Sequence, residues 1–283
     1  MTSTDGYRSV DGMTAQVDGA VLRLELDRPS KRNALNDTMM TGLVDAIEHA
    51  GRDESIRVIV LSGAGDHFCG GADIVARNAP APTGGDGDAA ELPARPRVGS
   101  IQRRVRGTAH RLIPTMLDVQ VPIVCRVQGW AAGIGFQLAL AADFTVAATD
   151  ATFWEPFTER GFTPDSGATW LLPRLVGMAR ARELLLLGRK LTGVEAEEWG
   201  LVHGTAGADG LDAAVAGVVD QLASGPTVAL GLTKWLLRNG PGTELEAQLQ
   251  NEALALELSS RSQDFREGLR AFADKRPPDF TGR

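Results

Sequence analysis

His67-Phe68-Cys69-Gly70-Gly71-Ala72-Asp73 and Gly129-Trp130-Ala131-Ala132-Gly133-Ile134-Gly135-Phe136-Gln137 decide how this chain is read. Each follows a short apolar run, residues 57–61 before the first and 122–127 before the second. Glycine admits unusual dihedrals and lets a backbone approach a ligand closely. A helix that opens from such a turn leaves amide donors unpaired and carries partial positive charge at its start. Two loops of this kind, facing each other, can aim two N–H groups at one oxygen. Neither spacing is a P-loop, which ends in Gly-Lys-Ser/Thr, and neither is the dinucleotide fingerprint, which should follow the first strand. Taken singly, each is equally a tight turn.

The flanking patterns set these loops in an α/β frame. Ala20, Leu22, Leu24 and Leu26 alternate as in a half-buried strand, which Asp27, Arg28 and Pro29 stop. Asn36 or Asp37 can cap a helix reaching Ala50, with Met40, Leu43, Val44 and Ile47 on one face. The unbroken apolar run 57–61 predicts a strand covered on both faces. Residues 78–99 hold Pro, Gly and Ala without periodicity and are expected to form a mobile insertion, either a lid or a passive loop. A helix over 101–117, strands over 122–127 and 144–147, and a helix over 136–142 continue the strand–helix alternation, which implies parallel pairing. Beyond Leu201 the spacing is helical, at 211–222, 226–237 and 244–258. The expected division is a flexible N-terminus (1–12), a core (13–205) and a C-terminal helical region (206–283).

Composition narrows the class. The chain has 283 residues, 43% of them hydrophobic and 23% charged, as in ordinary globular proteins. A net charge of −7 disfavours non-specific nucleic-acid binding. Cys69 and Cys125 cannot build a disulfide framework, and with four histidines no metal cluster is expected. There is no apolar run of about 18 residues and no basic-plus-apolar leader, so no membrane association and a cytoplasmic location are expected.

In order and context the segments resemble the crotonase (enoyl-CoA hydratase/isomerase) superfamily. The resemblance spans about 18–280 and rests on Asp27-Arg28-Pro29 through Asn33-Ala34-Leu35-Asn36, the two glycine loops, residues 191–202, and Asp264-Phe265-Arg266-Glu267-Gly268. It implies a ββα spiral core, an acyl-CoA thioester substrate and a C-terminal helical trimerisation region giving a homotrimer or hexamer. It also implies an oxyanion hole made by the N–H groups of Ala72 and Ile134. Lys31, Arg32, Gly71, Asp73, Ile74 and Lys275 are the CoA-binding candidates by family position. CoA belongs to the substrate, and no separate cofactor is expected.

Family hydratases use two glutamates, and here the aligned positions hold Gln137 and Phe157. A glutamine amide can orient water but cannot take its proton, and phenylalanine does neither. Pro164-Asp165-Ser166-Gly167 instead matches the branch that shifts double bonds, in which the aspartate aligned with Asp165 transfers the proton. A pocket of Trp130, Trp154, Phe157 and Phe162 would raise its pKa towards neutrality; the alternative role for Asp165 is a helix cap. Gln137 is a candidate for a substrate hydrogen bond or a structural one. Glu159 and Arg160 read as a solvated ion pair. Cys69 as a nucleophile lacks a placed base. The leading expectation is an enoyl-CoA double-bond isomerase using Asp165. The alternatives are a fatty-acid-degrading enoyl-CoA hydratase with its acid/base group elsewhere, at Glu155 or Glu159, and a catalytically silent acyl-CoA binder.

Overall fold

Leu22, Leu24 and Leu26 all turn inward, as their alternation predicts, in the central part of a six-stranded sheet. The computed structural model describes residues 6–73 and 99–283. The sheet order is β1 (Met13–Asp18), β2 (Val21–Leu26), β3 (Val58–Gly63), β4 (Ile123–Val127), β6 (Phe144–Ala148) and β9 (Gly204–Ala206). Only the β1–β2 hairpin is antiparallel; the other four pairings are parallel. β3 is buried along nearly its whole length, in keeping with cover on both faces. A smaller sheet joins β5 (Trp130–Ala132), β7 (Thr152–Trp154) and β8 (Leu191–Thr192).

Asn36 caps the helix Asp37–Ala50, its side chain accepting from the Met39 N–H at 2.8 Å. The single helix expected over 101–117 is two, Ser100–Val105 and Ala109–Asp118, divided at a segment containing Gly107, where a glycine weakens helix continuity. The expected 205/206 boundary cuts through β9. The helix after it, Leu211–Ala223, lies on β3, β4, β6 and β9 and so belongs with the sheet.

Two cationic side chains fasten the helix Thr227–Asn239, and the segment at Phe280 that follows the helices Leu245–Ser259 and Gln263–Asp274, to this body. Lys234 Nζ donates to Asp143 Oδ2 at 2.6 Å and to the carbonyls of Met116 and Val121 at 3.0 and 3.3 Å. Arg57 holds Thr227 Oγ1 at 2.9 Å, the Phe280 carbonyl at 3.2 Å and the Gly225 carbonyl. Removing the Lys234 ammonium leaves two carbonyls and a carboxylate short of a donor. Lys234→Met is expected to cost about 2–4 kcal/mol in urea unfolding; a loss under about 0.5 kcal/mol would show that water replaces the ammonium there.

Candidate active site

Asn33 builds the first half of the site. Arg32 and Asn33 both take left-handed conformations, φ 50° and 55°, in a sharp reversal of the chain. Asn33 is completely buried; its Nδ2 donates to the carbonyls of Ala64 and His67 at 2.9 and 2.6 Å, and its Oδ1 accepts from the Arg28 N–H at 2.8 Å. Leu35 then bonds on either side of Ala72, donating to the Gly71 carbonyl and accepting from the Asp73 N–H, both at 2.8 Å. In that pairing the intervening Ala72 N–H points the other way, and it has no acceptor among the described residues.

The second half is laced to the first by main-chain bonds. The Phe68 N–H donates to Gln128, the Cys69 N–H to Trp130, and the Ala132 N–H to Cys69, at 2.8, 2.8 and 2.9 Å. Gly133, at φ 52° and ψ −127°, opens the helix Ile134–Ala141 in a conformation that only glycine enters readily. Gly135 is needed for another reason: a Cβ there would stand 2.5 Å from the Cys69 carbonyl oxygen. The helix start therefore rests directly on the first loop. The Ile134 N–H, in the first turn, has no acceptor among the described residues.

A cavity of about 730 Å³, within the usual range for small-molecule sites, opens here, lined by Lys31, Gly70, Ala72, Asp73, Arg160 and Phe162 among others. Phe157 meets Phe162 edge-on at 5.5 Å, and its ring lies against Gly133. Ala72, Phe157 and Phe162 are thus brought to one apolar wall. Asp73 is buried and paired with Arg28 at 2.9 Å and Lys31 at 3.4 Å, so it anchors the Lys31 ammonium at the cavity. Arg32 contributes its carbonyl, which accepts from the Gly70 N–H at 2.7 Å, and its side chain is exposed. Lys275 ends the helix Gln263–Asp274 and is not among the described lining residues. Ile74 and residues 78–98 lie outside the described residues.

Four expectations need correction. Asp165 is not enclosed by aromatic side chains; it is exposed and accepts from Ser166 Oγ at 3.0 Å. Nor does its side chain cap the helix Ala168–Leu187, whose N-cap is Gly167. Trp130 and Trp154 pack edge-on at 5.7 Å beneath the Lys190 ammonium, which stands 4.5 Å from the Trp154 ring. Alternation along β7 puts Trp154 on the face opposite Phe153, whose ring meets Phe136 in the core. The two tryptophans thus form a cation-covered pair of their own and are not among the described lining residues of the cavity. Arg160 stacks over Trp154 at 5.7 Å and lines the cavity rather than pairing with Glu159. Burial pushes the Cys69 thiol up to about 12, which removes it as a nucleophile at neutral pH.

Glu155, an alternative acid/base group by sequence, is a fully buried acid beside Gln137. Glu155 and Gln137 are both completely buried, and Gln137 Nε2 donates to Glu155 Oε1 at 2.5 Å. Burial holds the Glu155 carboxyl well above the ordinary carboxylate range; the Gln137 hydrogen bond opposes this and the charge of Asp165 adds to it. Between the unfolded value near 4.5 and the raised folded value, the folded chain keeps a proton that the unfolded chain has released. Stability must therefore fall as pH rises through that window. Glu155→Gln is expected to flatten that fall, so that the variant's melting temperature gains on the parent's with each step above pH 4.5. Parallel melting curves across that range would contradict the assignment.

Comparison with known proteins places the chain in a family. The family model described as enoyl-CoA hydratase/isomerase matches residues 16–283. The 1,2-epoxyphenylacetyl-CoA isomerase of Escherichia coli K12 is 38% identical over 269 residues, covering 95% of this chain and 98% of its own. The 2,3-dehydroadipyl-CoA hydratase of the same organism is 32% identical, covering 93% of this chain and 96% of its own. Among solved structures, an enoyl-CoA hydratase from Bacillus anthracis superposes with a TM-score of 0.85 at 28% identity, covering 96% of this chain and all of its own. With its crotonase fold and acyl-CoA chemistry, this chain belongs to the enoyl-CoA hydratase/isomerase family.

Proposed function

We propose that the chain is an enoyl-CoA double-bond isomerase that stabilises a thioester enolate between the N–H groups of Ala72 and Ile134. The observation that carries this reading is the pair of unpartnered main-chain donors on two loops bonded to each other. Asp165 takes a proton from Cα of a β,γ-unsaturated thioester. The C–H electron pair spreads into a dienolate whose charge rests on the thioester oxygen, and Asp165 returns the proton to Cγ. No water is consumed and no redox group or metal is needed. Gln137 and Phe157, in place of the two hydratase glutamates, remove the family's route to adding water. One relative in E. coli is named an isomerase, of an epoxyphenylacetyl-CoA.

Lys31, beside the cavity, and Arg160, on its other edge, are suited to the phosphates of CoA, with Arg32 next to them. Phe272, Leu245 and Leu237 are 85%, 74% and 72% exposed in the single chain. Apolar exposure on that scale, along consecutive helices, fits burial against further copies, as a homotrimer or hexamer.

The decisive experiment mixes the enzyme with a β,γ-enoyl-CoA and follows ultraviolet absorbance of the conjugated thioester. Its appearance is the expected result. Loss of absorbance from a conjugated enoyl-CoA, without formation of its isomer, would replace isomerisation by hydration. Calorimetric binding with no change in either substrate would leave only an acyl-CoA binder.

A further inference from the structure

Two main-chain bonds tie the Glu155–Gln137 pair to the turn that presents Ile134. The carbonyl of Trp154, one residue before Glu155, accepts from the Gly133 N–H at 2.9 Å, and the Gln137 N–H donates to the Gly133 carbonyl at 3.1 Å. Side chains on a helix tilt towards its N-terminus, so Gln137 leans back under Gly133 and Ile134. Beyond their mutual bond, Gln137 Oε1 and Glu155 Oε2 are buried without a hydrogen-bond partner among the described residues. The neighbours in sequence are buried aromatics: Phe136 before Gln137, Phe153 and Phe157 flanking Glu155, with Phe136 and Phe153 packed on each other.

The charged groups around the pair supply no counterion. Asp165, on the loop before Ala168–Leu187, has the same sign as an ionised Glu155. Arg160 and Lys190 are engaged with the Trp154 ring, on the other face of β7. Glu159 approaches Gly188, and the helix Ile134–Ala141 contributes no charged side chain. A carboxylate would stand here desolvated and unpaired, close to where an enolate oxygen must become negative.

We propose that Glu155 is a positioning residue that works as the neutral acid, fixing Gln137 beneath the Gly133–Ile134 turn and keeping a second negative charge away from the oxygen bound there. This rests on the reading of Ile134 as an oxyanion donor. Ionising Glu155 places like charge beside the developing enolate, and removing its side chain frees Gln137 and loosens the turn.

Infrared difference spectra of the parent enzyme against Glu155→Gln should show the carbonyl band of a protonated carboxylic acid at neutral pH, fading as pH rises. The pH profile of kcat/KM on the acyl-CoA substrate should fall on the alkaline side for the parent. Glu155→Gln, a neutral replacement of similar shape, should stay within a few-fold at neutral pH and lose that alkaline fall. Glu155→Leu should lower kcat by about tenfold to a hundredfold, with KM little changed. An ionised Glu155 in an active enzyme, or a Glu155→Gln profile superimposable on the parent's, would overturn this inference alone. Absence of turnover on every acyl-CoA tested would overturn the isomerase reading and this inference with it.

Discussion

Asp165→Asn should slow the interconversion of β,γ- and α,β-unsaturated acyl thioesters by about 10²–10⁴-fold. Solvent deuterium should enter the acyl chain correspondingly slowly, while thioester affinity stays within a few-fold. The substitution is a clean one because Asp165 is exposed and its described side-chain partner, Ser166 Oγ, can donate equally well to an amide oxygen. Neither stability nor local shape has much to lose. What disappears is the capacity to hold a proton between two carbons, which an amide lacks at neutral pH. Deuterium incorporation at the parental rate would remove Asp165 from the mechanism and move the search to Glu159 or to solvent.

Ile134→Pro is expected to lower kcat by about 10²–10³-fold, the typical effect of deleting one oxyanion donor. Proline is well tolerated at the first position of a helix, where its missing N–H leaves no helical bond unmade. Ile134 occupies that position after Gly133. Ile134→Val is the control: it trims the buried side chain at a cost of about 1 kcal/mol but keeps the amide. Activity near the parent's in the valine variant and loss in the proline variant would isolate the N–H as the working group. Equal losses in both would mean that side-chain packing, not the amide, matters at this position.

The parts legible from sequence are those set by local spacing. Leu22-x-Leu24-x-Leu26, the Asn36 cap and the run ahead of Gly63 each carried their element, because period and cap chemistry act over a few residues. β1 was missed, its Met13, Ala15 and Val17 too weakly apolar to stand out, and β5 was hidden inside what reads as a glycine turn. Both are held by pairing with distant chain. The two paired loops are legible through their glycines, which betray close backbone approach. The side chains around them were not. Trp154, Glu155 and Phe157 lie within four positions, yet Trp154 ends β7 under the Lys190 ammonium while Glu155, just past the strand, meets Gln137, and only the assembled chain shows that pairing. Exposure misled in the same way: the aromatic residues near Asp165 in sequence turn towards one another and towards Gly133.

The bonds between Cys69, Trp130 and Ala132 that knit the two loops together are made wholly by peptide groups. Mutation cannot delete an amide hydrogen except through proline, so the joining of the two loops is insulated from most coding changes. Residues 157 and 165, which make none of these bonds, can then be exchanged one at a time without unlacing the loops. Such a separation gives evolution a stable chassis on which new reactions can be tried cheaply.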